Sequence, residues 1–79
     1  MKLTKEHLTF LKRLSIEGRL THDFLGDEIN HLYPDQEPDA EAKRQCEEMV
    51  RAGYLETNGF DYGITEKGME ELRKRNLLR

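Results

Sequence analysis

Residues 42–68 read AKRQCEEMVRAGYLETNGFDYGITEKG, and this stretch decides the fold. Ala42, Cys46, Met49 and Val50 recur at helical spacing and make one apolar stripe, while Ala40, Arg44, Glu47, Glu48 and Arg51 turn to the opposite side. Gly53 stands where a helix end wants a left-handed residue, and Tyr54, one step on, is placed to lie against Met49. Thr57-Asn58-Gly59-Phe60 predicts a tight type I′ turn, with Leu55 opposite Tyr62 and Thr57 opposite Phe60. In that register Leu55, Phe60, Tyr62 and Ile64 share a buried face, and Tyr54, Glu56, Asp61 and Gly63 a wet one. Ile64-Thr65 then opens a further helix. The stretch therefore predicts helix, hairpin, helix.

The device at Ile64-Thr65, an apolar residue, a threonine and another apolar residue four further on (Met69), has two counterparts upstream. Leu3-Thr4 with Leu8 and Leu20-Thr21 with Leu25 repeat it. Each is an N-cap with a hydrophobic staple, and none has the Glu of a full capping box. The first helix is expected to run to Glu17, with Leu8, Leu11 and Leu14 inward, Phe10 beside them and Gly18 as its stop; Arg19-Leu20 follows as a short strand. The second helix is expected to bury Phe24, Leu25, Ile29 and Leu32, despite Gly26 inside it, and to end at Tyr33-Pro34. Residues 34–39 lead into the third helix, with Asp35, Glu37 and Asp39 as candidate caps and Pro38 in the first turn. The last helix carries Glu66 in its first turn and Arg73, Lys74 and Arg75 in its last; Asn76 ends it and Leu77 folds back on Leu72.

The order helix, short strand, helix, helix, hairpin, helix resembles the winged helix-turn-helix superfamily over almost the whole chain. Two pieces carry the resemblance. Ala52-Gly53-Tyr54-Leu55-Glu56 is similar to the segment leaving the recognition helix in small bacterial, archaeal and phage regulators. Ile64-Thr65-Glu66-Lys67-Gly68 is similar to the step from the second wing strand into the closing helix. The resemblance implies a single α+β domain over residues 1–79, with a three-helix core, a short β-hairpin wing and a C-terminal helix. It also implies a DNA-binding transcriptional regulator or accessory factor. The third helix would enter the major groove, with Lys43 and Arg44 at base edges or phosphates and Arg51 at phosphate.

Charge supports a different partner. A 79-residue chain with 35% hydrophobic and 37% charged residues is one small-cored domain, with a stability of roughly 4 to 12 kcal/mol. Its net charge is −3, but residues 21–41 hold seven acids and no Lys or Arg. Asp35, Glu37, Asp39 and Glu41 surround the end of the third helix that would enter a groove, and residues 52–66 contain no Lys or Arg. Glu56 and Asp61 are set to repel each other across the hairpin, and Glu47 is spaced to pair with Lys43 or Arg51. The alternative reading is therefore an acidic module that binds a basic protein surface, or mimics nucleic acid, through Asp35, Glu37, Asp39 and Glu41. Lys12, Arg13 and the terminal bases Arg73, Lys74, Arg75 and Arg79 offer another surface for phosphate.

Other classes find little support. The alternating carboxylates lack the glycine and terminal glutamate of a calcium loop, and His7, His22, His31 and Cys46 are too scattered for zinc. The histidines are expected at the surface or its boundary, and Cys46 in the core. There is no phosphate-binding glycine loop, nucleophile elbow or spaced histidine motif, so neither catalysis nor a cofactor is expected. One cysteine makes no internal disulfide, and no apolar run reaches a membrane span, which suits a cytoplasmic protein. Both a monomer and a homodimer are compatible, the latter through Phe10 or Ile16 and the terminal Leu77-Leu78.

Overall fold

A computed structural model describes residues 1–29 and 38–77. The elements are α1 (Lys5–Glu17), β1 (Arg19–Leu20), α2 (His22–Ile29), α3 (Pro38–Arg51), β2 (Leu55–Thr57), β3 (Tyr62–Ile64) and α4 (Glu66–Lys74). The strands form an antiparallel sheet in the order β1-β3-β2. This is an α+β winged helix: a three-helix core, a hairpin wing and a closing helix. The expected end of α2 at Leu32, Tyr33 and Pro34 lies outside the described residues.

Helix starts follow the threonines. Thr4 caps α1 and Thr65 caps α4, each accepting from the backbone N–H three residues on. At Thr4 the box is completed by a residue not anticipated for it: the Thr4 N–H donates to His7 Nδ1 at 3.0 Å. Asp39, considered as a cap for α3, instead lies in its first turn, where its carboxylate still favours the positive helix end.

Helix ends follow the left-handed residues. Gly18 has φ 91°, and its N–H reaches Leu14 O. At Gly53, φ 89°, the Tyr54 N–H reaches Met49 O at 2.9 Å and the Gly53 N–H reaches Val50 O at 3.0 Å, a complete Schellman pair. Asn76, φ 57°, repeats the device on α4, returning the Leu77 N–H to Leu72 O at 2.9 Å.

The core gathers Phe10, Leu11, Leu14, Leu25, Ile29, Ala42, Cys46, Met49, Tyr54, Leu55, Tyr62 and Leu72. Val50 and Leu8 pack at its edge. α2 packs most extensively against α3, so the apolar stripe of α3 is spent inward and its charged side is left to solvent. Phe24 departs from expectation: it is 64% exposed, because Leu25 and Ile29 already fill the inner face of α2. Phe10, considered for a dimer contact, is fully buried.

The hairpin corrects the expected register. Leu55 pairs with Ile64, Glu56 with Gly63 and Thr57 with Tyr62, leaving residues 58–61 as the loop. Side chains supply the hydrogen bonds that a type I′ backbone pair would have made. Asn58 Oδ1 accepts from the Phe60 and Asp61 N–H groups at 2.9 and 3.0 Å. Thr57 Oγ1 accepts from the Gly59 N–H at 3.1 Å and donates to Asp61 O at 2.7 Å. The longer loop carries Phe60 out of the sheet, where it is 75% exposed, whereas Tyr54 and Gly63, expected on the wet face, are buried.

The expected repulsion between Glu56 and Asp61 is relieved from a third strand. Arg19 Nε donates to Asp61 Oδ1 at 2.8 Å and Nη1 to Glu56 Oε1 at 3.0 Å. The register Arg19↔Gly63↔Glu56 sets this up. A Cβ on Gly63 would sit 2.7 Å from Arg19 Nη1, so the glycine is the gap through which the guanidinium crosses the sheet.

Candidate functional site

α3 is anchored relative to the wing by the two pieces that carried the family resemblance. The carbonyls of Ala52, Gly53 and Tyr54, just past the end of α3, find their partners in the step into α4. Lys67 Nζ donates to Ala52 O at 2.7 Å, Thr65 Oγ1 to Gly53 O at 2.6 Å, and the Thr65 N–H to Tyr54 O at 3.1 Å. Lys67 also lies over the Tyr54 ring, 4.8 Å from its centroid. Gly68 is buried against Tyr54 O and Ile64.

On the exposed side of α3 stand Lys43, Arg44, Glu47 and Arg51. Lys43, Glu47, Val50 and Arg51 face Thr57, Gly59 and Tyr62 across an open groove of about 380 Å³ between α3 and the wing. Among the described residues no ion pair engages Lys43, Glu47 or Arg51, so the expected pairing of Glu47 does not form. Arg44 behaves differently. Its Nε donates to Glu41 Oε2 at 3.0 Å, its Nη2 to Glu41 Oε1 and its Nη1 to Glu48 Oε1. The three sequence-predicted cations thus divide: Lys43 and Arg51 line the groove, and Arg44 is held on the helix surface by two glutamates.

Arg44 belongs to a longer network. Glu41 also accepts from Gln45 Nε2 at 3.1 Å, and the Arg44 hydrogen bonds hold its carboxyl below the usual range, against the opposing effect of partial burial. Glu48 Oε2 lies 3.8 Å from His7 Nε2. His7 is only 5% exposed, more deeply buried than the surface or boundary position expected of it. With Nδ1 accepting the Thr4 N–H, the neutral ring carries its proton on Nε2, which is buried without a hydrogen-bond partner.

Burial lowers the His7 pKa, with Glu48 pulling the other way. A histidine whose folded pKa lies below its unfolded value contributes stability that is complete above the unfolded pKa and is lost as pH falls through the folded one. Protonating Nδ1 also removes the cap acceptor. The melting temperature should therefore fall as pH drops below the ordinary histidine value of about 6.5. His7→Gln, which keeps a box acceptor without a charge to gain, should flatten that part of the profile. A slope unchanged by His7→Gln would assign it to other groups.

The acidic candidates are spread more widely than the sequence implied. Asp35 and Glu37 lie outside the described residues. Asp39 is exposed, and its carboxyl is raised first by desolvation and then by the neighbouring Asp23, with Asp27 adding to the effect. Glu41 faces Arg44 and Gln45 rather than open solvent. The other basic surface is partly neutralised, since Arg73 bonds to Glu66 and Glu70, and Lys74 and Arg75 both pair with Glu71. Arg79 and Leu78 lie outside the described residues, as does His31. Among the described residues no group of three His, Cys, Asp or Glu side chains is gathered to hold a metal, and no helix is long and apolar enough to cross a membrane. Burial pushes the Cys46 thiol up to about 12, so it behaves as a small core hydrophobe.

Comparison with protein-family models, with curated proteins and with solved structures gives no match to this chain. The role of this surface is therefore argued from its own chemistry.

Proposed function

We propose that α3 and the wing form a duplex-DNA-binding surface of a small transcriptional regulator or accessory factor, with α3 in the major groove. The observation that carries this reading is the position of Lys43 and Arg51, two cations outside any described ion pair on the exposed side of α3, beside the wing. Lys43 is the candidate for a base edge or phosphate, Arg51 for phosphate, and Arg44 joins them only if it leaves Glu41 and Glu48.

Salt dependence tests this directly. Two phosphate contacts give a log-log slope of about −1.8, and three give about −2.7. Lys43→Ala with Arg51→Ala should bring the slope close to zero while the circular dichroism spectrum stays that of wild type. An unchanged slope would move binding off α3, to Lys12 and Arg13 on α1.

A second reading is favoured by the arginines. Arg44 and Arg19, which would otherwise be the strongest phosphate ligands on α3 and the wing, are each held by two carboxylates, while Asp23, Asp27 and Asp39 add negative charge where α2 and α3 meet. Such a surface suits a basic protein partner, or mimicry of nucleic acid toward a protein that binds it.

A further inference from the structure

Ile16 on α1 and Phe24 on α2 are 62% and 64% exposed, and neither is needed by the core, which Leu14, Leu25 and Ile29 fill from the same helices. Each helps line a shallow depression. One is lined by Thr9, Lys12, Arg13 and Ile16, the other by Arg13, Glu17, Leu20, Phe24 and Asp27, so Arg13 is their shared wall. The result is one continuous surface with apolar residues in its interior. It lies apart from the α3–wing groove, whose lining shares no residue with it among the described residues.

Its charge is polarised. The α1 edge carries Lys12, while Arg13, between the two depressions, approaches Glu17 of its own helix. The α2 edge carries Asp27 and Asp23, with Asp39 of α3 close enough to feel the charge of Asp23. A surface that is basic along one edge, acidic along the other and apolar between is complementary to itself. A two-fold axis running along the boundary between the edges lays the basic edge of each copy on the acidic edge of its partner and brings Phe24 over the apolar centre. With the axis turned by a right angle, like charges would face each other, so one dimer geometry is selected.

We propose that the occupant of this α1–α2 surface is a second copy of the same chain, joined by Ile16 and Phe24 and held in register by Lys12 of each protomer against Asp27 of the other. The inference does not depend on what α3 binds. The outer-helix dimer considered from the sequence offered Phe10 or Ile16 with the terminal leucines; Phe10 is buried, and this one joins Ile16 to Phe24 of α2.

Sedimentation equilibrium of the full chain from about 1 to about 100 µM tests it, the range in which a small interface shows itself. Wild type should move from the 9.3 kDa monomer toward twice that mass. Phe24→Ser should stay monomeric with unchanged circular dichroism. The decisive arm is charge exchange. Lys12→Glu alone places two acids together at each end of the dimer, and Asp27→Lys alone places two bases together, so each should raise the dissociation constant by about tenfold or more. Mixed in equal amounts, the two variants restore both opposite-charge pairs and should form a heterodimer. A wild type that stays monomeric at the highest concentration overturns the proposal. So does a dimer that survives both reversals, or a mixture no more associated than its components.

Discussion

Gly68→Ala should lower the free energy of unfolding by about 2 to 4 kcal/mol, a large part of the roughly 4 to 12 kcal/mol expected of a domain this size. The backbone at Gly68 is an ordinary helical one, so the effect is one of space. An added Cβ would lie 2.5 Å from Tyr54 O and 2.7 Å from Ile64 Cγ1. The first of these is main chain and cannot swing aside. Moving it displaces the carbonyl that accepts the Thr65 N–H, and with it the neighbouring bonds from Thr65 Oγ1 to Gly53 O and from Lys67 Nζ to Ala52 O. Alanine's better helix propensity returns at most about 1 kcal/mol. At roughly 4 to 8 °C per kcal/mol, the melting temperature should fall by about 10 to 25 °C. Gly59→Ala is the control. Nothing lies within 4 Å of its added Cβ, and only the positive φ of 93° is strained, so its loss should stay near 1 kcal/mol. Equal losses at the two positions, read from urea midpoints with unchanged slope, would mean that the α3–α4 clasp is not the tight contact described.

Most of this architecture was legible because it rests on local chemistry. Thr4 and Thr65 cap, Gly18, Gly53 and Asn76 stop, and the stripe from Ala42 to Met49 faces inward, each for reasons contained within a few neighbouring residues. The misreadings arose where a distant group decided. Asn58-Gly59 is a strong signal for a two-residue turn, but Asn58 and Thr57 used their side chains to close a longer loop, and Phe60 left the buried face as a consequence. Glu56 and Asp61 read as mutual repulsion because Arg19 is far away in sequence and reaches them only through the β1–β3 pairing across Gly63. His7 was within reach of sequence reasoning: it occupies the third helical position after a threonine cap, where a ring nitrogen can stand in for the usual carboxylate or amide. At the candidate site, spacing showed that Lys43, Arg44 and Arg51 lie outside the core stripe. It left open which glutamates would claim Arg44, because Glu41, Glu47 and Glu48 all lie within helical reach of it.

Neutralising the acidic entry to α3 should separate the two functional readings by the sign of its effect. The variant combines Asp35→Asn, Glu37→Gln, Asp39→Asn and Glu41→Gln. If α3 approaches DNA, these carboxylates repel phosphate, and Glu41 also occupies two of the nitrogens of Arg44. Their removal should tighten nonspecific duplex binding at low salt by about tenfold or more, while the salt slope stays near about −1.8 because Glu48 keeps its hold on Arg44. If the acidic surface instead receives a basic partner, the same variant should associate more slowly with a Lys- and Arg-rich peptide and hold it more weakly, while duplex binding does not improve. Stability has to be followed in parallel, since carboxylates at a helix start contribute about 0.3 to 1 kcal/mol each through the helix dipole. Asp39 works partly in the opposite direction, because the desolvation, and after it the crowding by Asp23 and Asp27, that raise its pKa are relieved when it becomes Asn. A folded variant that binds neither duplex nor basic peptide differently from wild type would remove both roles from this segment, leaving its charge to solubility.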